Sequence, residues 1–268
     1  MAFHAGWDKA PSEAPEGWPY NLRQIQVMSA GVDKYPAWFF GKVPITCGRG
    51  VSAVGIAEYT MTAIAAREKR WVELSRWRKG EKSPTLRGIA GKTLGLLGLG
   101  AIGGAVARRA LAFDMKVLAF TRSGKTPEGL DVEMTADLAE LMARSDHLVV
   151  AAPMTPYTNR MLDASAFAAA KPGLHLINIS RGEIVDNEAL LRALDGGVVG
   201  FATLDVTAPE PLPDGHPLAA HPNVMVTPHI SWMAEDNFER LLAKTMRDLD
   251  RYVRGEPPLD LVDPDARY

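Results

Sequence analysis

The chain has 268 residues, enough for two domains with sizeable cores. Its 30 Lys and Arg residues nearly balance 32 Asp and Glu residues, and the net charge of −2 argues against a nucleic-acid partner or an anionic-membrane surface. The single cysteine, Cys47, excludes an internal disulfide and a cysteine-based metal cluster, and it fits a reducing, cytoplasmic compartment. No stretch of the sequence predicts a secretory signal or a membrane span, so we expect no membrane partner.

The first part of the chain predicts a small unit followed by a long helix. Residues 23–28 and 43–47 are typical of strands. Residues 54–79 predict one helix that carries the chain between two domains. Residues 234–253 predict a charged amphipathic helix, and we expect it to return to the small unit, because one pair of strands alone would bury little.

From residue 92 onward, apolar strands alternate with helices. The predicted strands are 92–97, 116–120, 147–151, 174–178, 200–204 and 224–227, and the predicted helices are 102–113, 137–143, 164–170 and 187–194. This alternation predicts a doubly wound α/β fold, in which a parallel sheet is covered by helices on both faces. Ligands of such sheets bind beyond the carboxyl ends of the strands, so the loops that follow the strands are the place to look for chemistry.

A glycine-rich turn follows the first of these strands. Its residues are Gly98, Leu99, Gly100, Ala101, Ile102 and Gly103, in the pattern G-x-G-x-x-G. The glycines allow a tight turn from strand into helix and a close approach of the backbone to a pyrophosphate at the helix N-terminus. The turn therefore predicts a dinucleotide site, and a βα unit that merely packs closely is the alternative.

The second strand ends in Thr121-Arg122-Ser123, where a protein that binds NAD would carry an acidic residue for the ribose hydroxyls. An arginine at this place suits a 2′-phosphate instead. The sequence therefore predicts a preference for NADP(H), with NAD(H) as a second cofactor. A solvated turn charge is the alternative interpretation of Arg122.

Three loops beyond later strands carry reactive side chains. Arg181 offers a planar fork that can hold a carboxylate, and His229 can give or take a proton near neutral pH. Glu210 is a carboxylate that could orient such a histidine and stabilise its charged form. Each residue alone has a structural explanation: a surface ion pair, a loop charge and a loop histidine. On one rim of a dinucleotide-binding fold they together predict an active site.

The other histidines show no spacing typical of metal ligands, so we predict no metal site. His147 and His175 stand at strand starts and are interpreted as structural, whereas His216 and His221 flank a proline-rich loop and are interpreted as surface residues.

From about Leu22 to its C-terminus, the chain resembles the D-isomer-specific 2-hydroxyacid dehydrogenases, which include glyoxylate/hydroxypyruvate reductases and phosphoglycerate dehydrogenases. The segments that carry the resemblance are Ser-Ala-Gly-Val-Asp at 29–33, the glycine turn, residues 177–186, Leu-Asp-Val at 204–206 with Glu-Pro-Leu at 210–212, and Thr-Pro-His at 227–229. The resemblance implies a Rossmann cofactor domain, at 58–242, and a smaller flavodoxin-like substrate domain, at 1–57 and 243–268. It also implies a homodimer formed through the cofactor domain.

The resemblance assigns roles to individual residues. It implies that Arg181, Glu210 and His229 are the catalytic residues and that Asp205 accepts a hydrogen bond from the nicotinamide carboxamide. For the substrate, it implies that the backbone of Ala30 and Gly31 binds the carboxylate. Trp7 is expected to line the substrate side.

We therefore expect an oxidoreductase that transfers hydride between NADP(H) and a small 2-oxoacid such as glyoxylate or hydroxypyruvate. Relatives usually begin with a further strand and helix before the point where Met1 falls, so the substrate domain is expected to be incomplete. Two alternatives stay open: an inactive truncated remnant, and a dinucleotide-sensing binding protein like the related corepressors. A formate dehydrogenase is disfavoured, because that branch carries glutamine where Glu210 stands.

Overall fold

The computed structural model describes residues 10–82, 84–122 and 124–264. The chain forms two compact units. The first combines the chain up to Ser52 with the chain from Met233 onward, and the second is Ala53–Trp232. The boundaries at 52/53 and 232/233 each precede a helix, whereas the predicted boundaries at 57/58 and 242/243 fall inside those two helices.

The elements are, in chain order, β1 (Ile25–Gln26), β2 (Ile45–Thr46), α1 (Ala53–Glu68), α2 (Trp71–Leu74), β3 (Thr93–Leu97), α3 (Ala101–Ala112), β4 (Lys116–Phe120), β5 (Glu133–Met134), α4 (Leu138–Arg144), β6 (His147–Val150), α5 (Ala164–Ala168), β7 (Leu174–Asn178), α6 (Asn187–Asp195), β8 (Val199–Leu204), α7 (Pro217–Ala220), β9 (Val224–Val226) and α8 (Asn237–Val253). Short 3₁₀ helices lie at Ala37–Phe39 and Gly182–Ile184. No helix in the described ranges has both the length and the apolar character that a membrane span requires.

The first unit is built on the parallel pair β1 and β2. The C-terminal segment joins this pair, because the backbone N–H of Val262 donates to the carbonyl of Ile45 at 2.8 Å. Apolar residues from both ends of the chain form one core: Ile25, Val27, Val32, Tyr35, Phe39, Phe40, Ile45, Cys47 and Val262. The N-terminal and C-terminal segments thus fold as one body.

Helix α8 in this unit has an unusual distribution of side chains. It buries Leu241, Lys244 and Asp248, and Lys244 forms an ion pair with Asp260. Its exposed apolar side chains recur at helical spacing: Phe238, Leu242, Met246, Leu249 and Val253. An apolar stripe on α8 therefore faces solvent.

The second unit contains a parallel sheet of seven strands in its described part, in the order β5-β4-β3-β6-β7-β8-β9. The order reverses between β3 and β6, and in doubly wound folds the crevice at such a reversal holds the ligand. The predicted Rossmann-type α/β fold is confirmed. Helices α1 and α3 pack together within a hydrophobic cluster of this unit.

Aspartate side chains fix the start of three helices. Asp137, Asp163 and Asp186 each accept hydrogen bonds from backbone N–H groups in the first turn of α4, α5 and α6. These bonds satisfy donors that have no partner inside the helix.

The prediction of one helix over residues 54–79 is wrong. Helix α1 ends at Glu68, and Arg70 adopts a left-handed conformation, with φ at 49°, before the short helix α2. The carbonyl of Glu68 accepts a hydrogen bond from the backbone N–H of Arg87 at 3.0 Å. In a continuing helix that carbonyl would accept from Val72, so the bond to the returning chain replaces the next turn.

Other boundaries also differ from the predictions. β5 was missed, because a polar edge strand of two residues has no apolar pattern. β1 and β2 are shorter than the predicted strands at 23–28 and 43–47, and α8 begins at Asn237 and not at residue 234.

Candidate active site

The glycine turn lies at the carboxyl end of β3, beside the end of β4. The backbone N–H of Gly98 donates to the carbonyl of Phe120 at 3.0 Å. Gly98 has φ at +100°, and a Cβ there would lie 2.6 Å from the backbone nitrogen of Ala152. A Cβ on Gly103 would lie 2.3 Å from the carbonyl oxygen of Gly98. Both positions therefore require glycine.

The middle glycine of the turn, Gly100, has a different environment. A Cβ on Gly100 would meet nothing within 4 Å, and α3 begins at the next residue, Ala101, followed by Ile102. The turn is thus closed on its protein side and open where a pyrophosphate would approach the N-terminus of α3. The residues present fit a dinucleotide.

Thr121 and Arg122 follow β4 directly and share the sheet edge with the glycine turn. The Thr121 hydroxyl accepts a hydrogen bond from the backbone N–H of Gly124 at 3.0 Å, and Arg122 is exposed. Ser123, also predicted to contact the cofactor, lies outside the described residues.

Arg181 stands in a turn that is organised by a buried asparagine at the end of β7. Nδ2 of Asn178 donates to the carbonyl of Arg181 at 2.8 Å, and Oδ1 of Asn178 accepts from the backbone N–H of Ser180 at 3.1 Å. The Arg181 side chain is half-buried, and its Nη1 donates to the carbonyl of Ser180 at 2.8 Å. The Asn178 amide thereby fixes the backbone from which the guanidinium projects.

Glu210 and His229 are in direct contact. Nδ1 of His229 lies 2.7 Å from Oε1 of Glu210. The side chain of His229 is 36% exposed and that of Glu210 is 42% exposed. Burial of Glu210 opposes its ionisation, but the hydrogen bond and charge of His229, the Thr207 N–H and the charge of Arg181 together hold the pKa of Glu210 below its usual range. Glu210 is therefore ionised near neutral pH, and it accepts the hydrogen bond, so the proton lies on Nδ1 of His229.

The predicted residues of the first unit lie in the turn after β1, where Ala30 is exposed and Gly31 is half-buried. Trp7 lies outside the described residues. The structure thus brings together Arg181, Glu210 and His229 within the second unit, at the sheet edge that carries the dinucleotide turn.

The carboxylate of Asp205, at the end of β8, is buried, with 1% of the residue exposed. Its Oδ1 accepts from the hydroxyl of Thr227 at 2.6 Å and from the backbone N–H of Ile230 at 2.9 Å. Its Oδ2 accepts from the backbone N–H of Ser231 at 3.0 Å. Asp205 therefore anchors the loop that carries His229. The sequence did not predict this anchoring role of Asp205.

Sequence reasoning also missed the partners of these groups. Asn178 and Thr227 stand only as parts of the motifs at 177–186 and 227–229, and no motif includes Tyr59 or Trp232. A buried polar residue directly after a strand was the available signal for Asn178. No local signal identifies Tyr59, because it reaches the loop from α1, far away in sequence.

The comparisons with known proteins agree with this geometry. Residues 59–231 match the family model described as the NAD binding domain of D-isomer specific 2-hydroxyacid dehydrogenases. The chain is 34% identical to a glyoxylate reductase of Thermofilum pendens, over 95% of this chain and 78% of that protein. It is 37% identical to the human glyoxylate reductase/hydroxypyruvate reductase, over 63% of this chain and 52% of that protein.

A solved structure is also similar. The D-isomer specific 2-hydroxyacid dehydrogenase of Xanthobacter autotrophicus, crystallised with NADPH and MES, superposes with a TM-score of 0.82. The two chains are 31% identical, and the similarity covers 96% of this chain and 83% of that one. This chain therefore belongs to the D-isomer specific 2-hydroxyacid dehydrogenase family and is an oxidoreductase of 2-hydroxyacids that uses a nicotinamide dinucleotide.

Proposed function

We propose that this enzyme reduces a small 2-oxoacid, of the size of glyoxylate or hydroxypyruvate, with NADPH. The observation that carries the proposal is the 2.7 Å contact between Nδ1 of His229 and Oε1 of Glu210, on the same sheet edge as the dinucleotide turn. The names of the Thermofilum and human relatives support glyoxylate and hydroxypyruvate as substrates.

In the proposed mechanism His229 is the proton donor. A reduced nicotinamide dinucleotide, held by the turn from Gly98 to Gly103, would supply the hydride for the carbonyl carbon. Because negative charge develops on the carbonyl oxygen, a nearby cation and an available proton lower the barrier. Nδ1 of His229 is bonded to Glu210, so Nε2 delivers the proton, and the Glu210 carboxylate stabilises the imidazolium before transfer.

Arg181 binds the substrate carboxylate in this proposal. Its planar guanidinium can donate two parallel hydrogen bonds, which fixes both the position and the orientation of a 2-oxoacid. The backbone of Ala30 and Gly31 is proposed as a second donor group for the carboxylate.

A lysine substitution tests the fork of Arg181. Arg181→Lys keeps the charge and loses the two parallel bonds, so it should weaken substrate binding and turnover together. Unchanged kinetics in this variant would assign the carboxylate to another group.

The proposed cofactor is NADPH, with NADH as a weaker alternative. The turn from Gly98 to Gly103 would receive the pyrophosphate, and Arg122 with Thr121 and Ser123 would bind the 2′-phosphate. Asp205 would accept from the carboxamide through Oδ2, which accepts one hydrogen bond in the described structure and has capacity for another. The NADPH bound in the Xanthobacter enzyme supports this preference.

We further propose a homodimer formed through the second unit, in a reducing, cytoplasmic compartment. Exposed apolar side chains beside α1 support such an interface: Trp71, Val72, Trp77 and Leu86. The buried, unpaired Cys47 fits the compartment. Light scattering coupled to gel filtration measures the mass, and the mass of one chain would contradict the dimer.

Initial rates over a panel of 2-oxoacids, each with NADPH and NADH, test the proposed function. We expect turnover of glyoxylate or hydroxypyruvate with NADPH, and its loss in His229→Ala. Cofactor binding without turnover of any 2-oxoacid would overturn the proposal and favour a dinucleotide sensor.

A further inference from the structure

A chain of hydrogen bonds connects helix α1 to the loop that carries His229. The hydroxyl of Tyr59 lies 2.7 Å from the hydroxyl of Thr227, which lies 2.6 Å from Oδ1 of Asp205. An ionised carboxylate only accepts, so Thr227 donates to Asp205. The single hydroxyl proton of Thr227 is then used, and Tyr59 must donate to Thr227. Both hydrogen bonds therefore point in one direction, with donors on the tyrosine side and the final acceptor on the carboxylate.

The carboxylate at the end of this chain holds the backbone of the His229 loop at two further points. It accepts from the N–H groups of Ile230 at 2.9 Å and of Ser231 at 3.0 Å. The carbonyl of Asp205 accepts from the N–H of His229 itself at 2.9 Å. One residue thus fixes three consecutive amides, beginning at His229.

These hydrogen bonds of Asp205 matter because the backbone of His229 is strained. Its φ is +53°, in the left-handed region that a residue with a side chain adopts only when its surroundings enforce it. Nε1 of Trp232 donates to the carbonyl of His229 at 2.8 Å, so both backbone polar groups of the histidine are engaged. Relaxation toward negative φ would turn the imidazole away from Glu210.

From this geometry we infer that Tyr59, acting through Thr227 and Asp205, is a positioning residue that holds His229 in the orientation needed for proton transfer. The inference rests on the proposed function for the role of His229, and on the described contacts for the rest. Tyr59 does not touch the reacting atoms; it restrains the carboxylate that restrains the loop.

Tyr59 is suited to this task by its place in the fold. It is half-buried on α1, which packs against α3 within the second unit. Burial, aided by the negative charge of Asp205, raises the pKa of the Tyr59 hydroxyl despite its bond to Thr227, so it remains a protonated donor. The tyrosine therefore couples the loop to the packed body of the unit.

The test compares Tyr59→Phe, Thr227→Val and their double variant with Tyr252→Phe as the matched control. Tyr252 lies on α8, and its hydroxyl forms no hydrogen bond to any residue that the structure describes. We expect Tyr59→Phe to lower kcat about threefold to tenfold, the effect of one buried hydrogen bond, and to leave KM nearly unchanged. The double variant should be no slower than Thr227→Val, because the tyrosine acts through the threonine.

Amide hydrogen exchange supplies a readout that does not depend on turnover. The N–H groups of Ile230 and Ser231 should exchange faster in Tyr59→Phe than in the wild type. Their exchange rates should be unchanged in Tyr252→Phe. Unchanged exchange in Tyr59→Phe, or a double variant much slower than Thr227→Val, would overturn the inference. If the wild type reduces no 2-oxoacid, the proposed function fails, and the exchange rates still decide whether Tyr59 holds the loop.

Discussion

A Cβ atom on Gly182 would lie 2.0 Å from the carbonyl carbon of Thr207. The backbone turn that carries Arg181 is therefore in contact with the backbone of the loop that carries Glu210. The contact fixes the spacing of the two charged side chains, and it exists only because residue 182 has no side chain.

The first prediction follows from this contact. Gly182→Ala must separate the two backbones, and a displacement near 1 Å at an active site costs about 100-fold in rate. We expect kcat/KM with the preferred 2-oxoacid to fall by that order. Gly88→Ala is the control, because a Cβ on Gly88 meets nothing within 4 Å. Equal kinetics of the two variants would show that the contact does not set the geometry.

The contact of Glu210 with His229 predicts the pH dependence of reduction. The rate should fall in acid, where Glu210 becomes protonated and no longer stabilises the proposed imidazolium of His229. The pKa of Glu210 is lowered, so this fall should lie below the pH range in which an ordinary glutamate titrates. Glu210→Gln removes the charge and keeps the shape, so its rate should be lower and the fall in acid should be absent.

His229→Ala should cost more at every pH, about 10²- to 10⁴-fold. The variant that carries both Glu210→Gln and His229→Ala should lose less rate than the product of the two single losses, because the residues act as a pair. An unmoved pH profile in Glu210→Gln would show that the carboxylate does not serve the histidine.

Arg122 at the end of β4 predicts the choice of cofactor. Arg122→Ala removes the proposed charge-assisted bond to the 2′-phosphate, so KM for NADPH should rise roughly 10- to 100-fold. KM for NADH should stay nearly constant. Arg192→Ala, at an exposed helical position, is the control. Equal increases for both cofactors would make Arg122 a surface charge.

The buried histidines of the sheet predict a loss of stability in acid. Nδ1 of His147 lies 3.1 Å from Nδ1 of His175, and burial, with the charge of Lys92, lowers the pKa of His147 from 6.5 to about 4. The unfolded chain therefore binds this proton below pH 6.5, whereas the folded chain does not bind it until about pH 4. This difference costs roughly 3 kcal/mol of unfolding free energy by pH 4.

His147→Gln should remove that part of the acid loss, measured by urea unfolding at several pH values between 7 and 4. His216, which lies outside the buried pair, is replaced by glutamine in the control variant. A parallel pH dependence in wild type and His147→Gln would assign the acid loss to other groups.

The second unit was largely predictable because its signals are local. The strands from β3 to β9, apart from β5, are apolar runs, and the glycine turn has a fixed spacing. The end of α1 was not predictable, because it depends on the carbonyl of Glu68 bonding to Arg87, a contact between distant residues. No pattern within residues 54–79 encodes that bond.

The candidate site shows the same division. Arg181, Glu210 and His229 could be predicted, because each follows a strand and carries a reactive group. The hydrogen bonds of Asp205 to three backbone amides could not be predicted. Backbone hydrogen bonds and the left-handed conformation of His229 do not depend on a recognisable pattern of residue types. The sequence motifs thus predicted which side chains lie together, and the structure shows which contacts position them.

The apolar stripe on α8 bears on how the protein behaves in solution. Phe238 is 62% exposed and Val253 75% exposed, so water is in contact with hydrocarbon along the length of the helix. Such a surface raises the chemical potential of the dissolved chain and lowers its solubility limit. We expect enhanced fluorescence of the dye ANS with the folded protein, reduced in Leu242→Glu, and a solubility that decreases in sulfate salts, because salting-out acts in proportion to the apolar surface left in water.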